Sequence, residues 1–140
     1  MMAAAFSAFT VEAFLNHLGS KRLPEWNRIE WQLGPKDKLR LIKKKLALSI
    51  DLRRRPFSTF PTMLRVRNAL AHGRTVAAVS MRSAGDLGDW PEPEWKQLCR
   101  ADLVARMVED AEKIVREISE LSGSRRNPFG SMGSGWSVGG

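Results

Sequence analysis

Cysteine is nearly absent from this chain of 140 residues, where Cys99 stands alone. A single thiol excludes an intrachain disulfide framework and suits a reducing compartment, so a cytoplasmic location is expected. It also excludes a thiolate zinc cluster within one chain, and the two histidines, His17 and His72, supply no metal-ligand spacing. The expectation is no metal and no cofactor. Apolar residues make up 43% of the chain, an ordinary share for a globular protein. No uninterrupted apolar run reaches the roughly 18 residues of a membrane span, so no membrane association is expected. The opening stretch MMAAAFSAFTVEAF lacks a basic n-region, carries Glu12 and passes straight into amphipathic spacing. It reads as structure and not as a secretion signal. The length leaves room for one domain with a single core.

Acidic residues are scarce through the middle of the chain. Between positions 36 and 82 only Asp37 and Asp51 stand against Lys36, Lys38, Arg40, Lys43, Lys44, Lys45, Arg53, Arg54, Arg55, Arg65, Arg67, Arg74 and Arg82. Residues 92–120 are instead net acidic, and the whole carries a formal charge of +8. A basic middle beside a mixed-charge end suggests a surface that faces a polyanion. A charge run is also what a solvated helix face looks like.

Hydrophobic periodicity predicts an all-α fold, an up-and-down four-helix bundle over residues 1–122, followed by a disordered, low-complexity Gly/Ser tail over 123–140. The first predicted helix covers residues 4–18, with Phe6, Phe9, Ala13, Phe14 and Leu18 as its apolar face, Glu12 and Asn16 together on its edge, and Gly19 and Ser20 ending it. Residues 20–35 read as loop or broken turn, with Trp26 and Trp31 as anchors over the core. The second helix starts after Pro35 and runs to about Leu48. Leu39, Ile42 and Leu46 face inward, and Lys36, Arg40, Lys43 and Lys44 outward. A short strand is conceivable over TVAAVS, 75–80. The last helix is the longest, with Asp89 as a candidate cap, Pro91 and Pro93 in or before its first turn, and Leu98, Val104, Met107, Val108, Ala111, Val115, Ile118 and Leu121 at helical spacing to a stop at Gly123.

The third predicted helix, roughly residues 60–72, poses a problem. Pro61 suits its first turn, Ser58 or Thr59 its cap, and Gly73 the position past its end. Phe60, Met63, Leu64, Leu70 and Ala71 share one face, and Arg67 projects from the middle of that face. A guanidinium cannot shed its charge, and burying it unpaired costs several kcal/mol, so something anionic must meet it. Glu12 is the first candidate. A structural ion pair with Glu12 or Asp51 would satisfy Arg67 with no further role, and His72 could be an ordinary helix-terminal residue.

Arg67-Asn68-Ala69-Leu70-Ala71-His72, closed by Gly73, resembles the Arg–polar–x3–His motif of the HEPN superfamily, small helical bundles many of which are RNA-cleaving toxins or defence nucleases. VEAFLNHLG in the first helix resembles the first helix of several HEPN groups, and the likeness spans roughly residues 4–121. The resemblance implies metal-independent RNA cleavage in which the 2′-hydroxyl attacks the adjacent phosphate. In that reading His72 handles the proton, Arg67 holds the phosphate, and Asn68 orients the ring or the substrate. Lys43, Lys44, Lys45, Arg65 and Arg74 would attract the RNA. Residues five apart on a helix lie about 140° apart around its axis, so Arg67 and His72 do not converge by spacing. A homodimer with the motif helices packed together, as is typical of the family, would join them in one cleft. An antitoxin protein is a further candidate partner. The alternatives are a catalytically inactive HEPN-like module that binds RNA, a nucleotide or a protein, and a basic helical DNA binder, for which no helix-turn-helix spacing stands out.

Overall fold

The computed structural model describes residues 2–71 and 100–123. Among these the chain is helical throughout its regular elements, with no strand. The helices are α1 (Met2–Arg22), α2 (Trp26–Ile29), α3 (Pro35–Lys45), α4 (Phe60–Ala71) and α5 (Ala101–Leu121), with 3-10 turns at Glu30–Gln32 and Phe57–Thr59. The stretch TVAAVS, residues 72–99 generally and the tail from 124 lie outside the described residues.

Helix α1 is the centre of the packing and touches α3, α4 and α5. Its buried stripe is Ala4, Ala8, Val11, Leu15 and Leu18, a heptad-like row that begins with small alanines and ends with leucines. The predicted face is thereby corrected. Phe6 and Phe9 are 58% and 48% exposed and Ala13 is exposed, while Phe14 only flanks the core. A helix that is apolar on all sides does not announce its inner face, and here the alanines decide it. The helix also does not stop at Gly19. It continues to Arg22, because Gly19 is where the indole of Trp26 packs, and a Cβ there would lie 2.3 Å from the ring. Trp26 is fully buried, as an anchor over the core should be, and its Nε1 donates to Glu30 Oε2 at 3.1 Å. Trp31 is 87% exposed and anchors nothing among the described residues.

Helix α3 begins at Pro35 and ends at Lys45, short of the expected Leu48. Ala47 takes a left-handed φ of 50°, and the amides of Leu48 and Ala47 donate back to the carbonyls of Lys43 and Lys44, a Schellman termination without its usual glycine. The reversal sends Leu48 and Ile50 into the core. Leu39 and Ile42 point inward as expected, and Lys38 shares their stripe at 7% exposure.

The α4 face carrying Phe60, Met63 and Leu64, extended by Val66, is buried within the chain against α1 and α5. It needs no second subunit to cover it, which corrects the premise from which an interface on that face was expected. Leu70 is partly buried and Ala71 exposed. Thr59 does not cap α4. Its hydroxyl donates instead to Asp110 Oδ2 at 2.5 Å.

Helix α5 starts at Ala101. Arg100, with φ −59° and ψ 139°, is not helical, and the expected start at Asp89, Pro91 and Pro93, with Leu98, lies outside the described residues. Met107, Ala111, Ile114, Val115 and Ile118 form its buried stripe, whereas Val108 and Leu121 are exposed. Asp110 lies in that stripe at 1% exposure. Arg55 makes this tolerable by donating from Nε and Nη2 to the two carboxylate oxygens at 3.0 and 2.6 Å, beside the Thr59 hydroxyl. The outer face of α5 carries the i,i+4 pairs Glu109–Lys113 and Glu112–Arg116. Helix α5 ends at Leu121, with Gly123 at φ 74° just beyond it.

Candidate functional site

Arg67 points inward from the C-terminal half of α4 toward α1, and its side chain is 19% exposed. Glu12 meets it there, as the unshieldable charge required. Arg67 Nη1 donates to Glu12 Oε2 at 2.5 Å. Asp51, the other carboxylate considered, instead accepts the backbone N–H of Arg53 at 2.9 Å and closes the turn before Pro56. Asn68 is exposed, but its Oδ1 accepts from Nε and Nη2 of Arg67 at 3.2 and 3.0 Å. Asn68 thus orients the arginine, a job the motif alone did not assign to it. The guanidinium carbon lies 5.7 Å from the centroid of the Phe9 ring, within cation–π range. Three groups on two helices therefore fix Arg67 in one pose.

A guanidinium has five N–H donors. One each on Nη1, Nη2 and Nε is engaged here, and a second N–H on Nη1 and on Nη2 has no partner among the described residues. A planar pair of that kind suits two oxygens of a phosphate.

Lys38 is the residue that sequence reasoning did not place here. Its Nζ lies 3.7 Å from Glu12 Oε1, so the single carboxylate is flanked by Lys38 on one oxygen and Arg67 on the other. Among the described residues Lys38 has no closer anion. The signal was present in the sequence, since Lys38 stands one turn before Ile42 on the inward stripe, but the surrounding lysines hid it. One turn along α1 from Glu12, Asn16 Oδ1 is buried with no hydrogen-bond partner among the described residues.

The remaining predicted residues are less well gathered. His72 and Arg74 lie outside the described residues. Arg65 is exposed on α4, Lys44 and Lys45 are exposed and Lys43 half-buried at the end of α3, and Lys45 pairs with Glu25 at 2.8 Å. His17 is an ordinary exposed residue of α1.

A second charged cluster, Arg55, Glu109, Asp110 and Thr59, ties the turn before α4 to α5. Burial raises the Asp110 carboxyl, but the hydrogen bonds from Arg55 and Thr59 and the charge of Arg55 outweigh it and hold the group below its ordinary 3.8. The hydrogen bond to Asp110 in turn raises the Arg55 guanidinium above its usual range. The Asp110 carboxylate is satisfied within this cluster, while the Arg55 and Glu109 side chains remain half exposed. An apolar hollow of about 410 Å³ opens between α1 and α5, lined chiefly by Ala3, Phe6, Thr10 and Val108, and contains none of the Arg67 group.

Among the described residues no set of three His, Cys, Asp or Glu side chains is placed to hold a metal ion, and no helix is long and apolar enough to cross a membrane. No family model, curated protein or solved structure matches the chain.

Proposed function

We propose that the chain is an endoribonuclease of toxin or defence type, built as a HEPN-like four-helix bundle and working in the cytoplasm without a divalent metal. The observation that carries the reading is the Arg67 guanidinium, fixed by Glu12, Asn68 and Phe9 with a donor on each terminal nitrogen that has no partner among the described residues. In this reading Arg67 binds the phosphate and offsets the charge that gathers on its oxygens as the 2′-hydroxyl attacks phosphorus. The bond to the 5′-oxygen breaks, leaving a 2′,3′-cyclic phosphate and a 5′-hydroxyl. His72, four residues beyond Asn68 in sequence, is the proton carrier, because imidazole is the side chain chemically suited to exchanging a proton near neutrality. Lys43, Lys44, Arg65 and Arg74 draw the RNA backbone toward the site.

A homodimer remains part of the proposal, though its contact surface moves. Among the described residues the exposed large apolar side chains include Met2, Phe6 and Phe9 on α1 and Val108 on α5, and Phe6 and Val108, which line one hollow, are the groups a second copy would cover. The experiment is cleavage of labelled single-stranded RNA in EDTA, comparing the intact chain with His72→Ala. RNA binding without cleavage by either protein would leave a silent binding module.

A further inference from the structure

We infer that Lys38 is a second phosphate-binding cation of the Arg67 site and that Glu12 is its resident counter-ion, against which the phosphate competes. The inference rests on the reading of Arg67 as a phosphate ligand and adds to it a residue outside the Arg–polar–x3–His motif. It starts from charge. Lys38 and Arg67 flank opposite oxygens of one carboxylate, so the group holds one positive charge in excess. That excess is not spread over an open surface. The Lys38 residue is 7% exposed, and both arginine and glutamate are mostly covered. An ammonium so placed is normally held by a close anion or by several hydrogen bonds. Lys38 has neither among the described residues, and its separation of 3.7 Å from Glu12 is too long for a hydrogen bond.

A single phosphodiester supplies what the group lacks. It carries one negative charge, which brings the sum of Lys38, Arg67, Glu12 and ligand to zero. It also carries two non-bridging oxygens, one for a guanidinium N–H without a partner among the described residues and one for the ammonium. The desolvated setting makes each of these contacts count for more than a surface lysine does. Glu12 plays two opposed parts. It keeps the cations from repelling one another in the empty site, and it repels the incoming phosphate. Removing its charge should therefore tighten binding while loosening the pose of Arg67, so that KM and kcat fall together.

The test measures binding of the intact chain to a non-cleavable 2′-O-methyl oligoribonucleotide, and separately to inorganic phosphate, over a range of salt. Lys38→Met keeps the length of the side chain without the charge. It should weaken oligonucleotide binding about tenfold and lower the slope of log K against log salt by about 0.7, the value for one contact to a single strand. Lys38→Arg should restore both. Glu12→Gln should bind the oligonucleotide several-fold more tightly, a readout that does not depend on the Lys38 variants folding. Unchanged affinity and slope in Lys38→Met, or weaker binding in Glu12→Gln, would overturn the inference while leaving the ribonuclease reading intact. Phosphate binding that depends on Lys38, with no oligonucleotide bound, would uphold the cation pair and remove the RNA. Binding of neither probe by the unaltered chain would remove both.

Discussion

Replacing Gly19 by alanine sets two physical effects of opposite sign against each other. Helix propensity favours the change, since glycine inside a helix costs about 1 kcal/mol relative to alanine. Packing opposes it. The new Cβ would lie 2.3, 2.4 and 2.5 Å from three carbons of the Trp26 indole, where ordinary contact begins near 3.4 Å. The indole cannot easily move aside, because it is fully buried and its Nε1 is held by Glu30. Overpacking of a filled core costs about 1–3 kcal/mol, and an overlap of this depth belongs at the upper end. The net expectation for Gly19→Ala is a loss of about 2 kcal/mol, or a melting point lower by about 5–10 °C. Urea denaturation followed by circular dichroism gives the free energy directly. The double variant Gly19→Ala with Trp26→Leu should lose less than the sum of the two single changes, because the smaller side chain yields the space. Stabilisation by Gly19→Ala alone would refute the close approach of α1 and α2.

The buried Asp110 gives a pH-dependent expectation. Its carboxyl titrates below the ordinary 3.8 in the fold, so it contributes stability above about pH 4 that is lost as the pH falls through the lowered folded value. Denaturation midpoints measured from pH 6 to pH 2.5 should show that decline, and Asp110→Asn should flatten it while costing about 1–3 kcal/mol at neutral pH, because the Thr59 hydroxyl and the Arg55 fork are left with one neutral amide oxygen where the carboxylate offered two charged ones. The proposed homodimer predicts a two-chain mass by light scattering at micromolar concentration. Phe6→Ser combined with Val108→Ser should return it to one chain, since each buried apolar side chain is worth about 1.5–3 kcal/mol. A monomer in the unaltered protein would remove the second copy from the account.

What could be read from the sequence depended on whether a residue broke a pattern or blended into one. Arg67 broke the apolar face of its helix, so a counter-ion was required, and Glu12 on the edge of the first helix supplied it. Lys38 stood among Lys36, Arg40, Lys43 and Lys44, where one inward lysine looks like its neighbours, and only packing distinguished it. Asp110 broke the stripe between Met107 and Ile114 and could have been noticed on the same grounds as Arg67. The inner face of α1 was hidden for the opposite reason. Phenylalanine outweighs alanine on any hydrophobic scale, yet helices pack closest over Ala4 and Ala8, which leaves Phe6 and Phe9 outside. The position of Trp26 followed from a contact with Gly19 that no spacing rule contains, and Trp31, so similar in sequence context, had no such partner among the described residues.

The most direct measurement of the central claim is cleavage of end-labelled single-stranded RNA by the intact chain in EDTA, with the unaltered protein beside His72→Ala and Arg67→Ala. The account predicts cleavage by the unaltered protein alone, with products ending in 2′,3′-cyclic phosphate and beginning with 5′-hydroxyl, and with Arg67→Ala also losing stability because Glu12 loses its hydrogen-bonded partner. Equal cleavage by all three proteins, or none by the unaltered one, would contradict it.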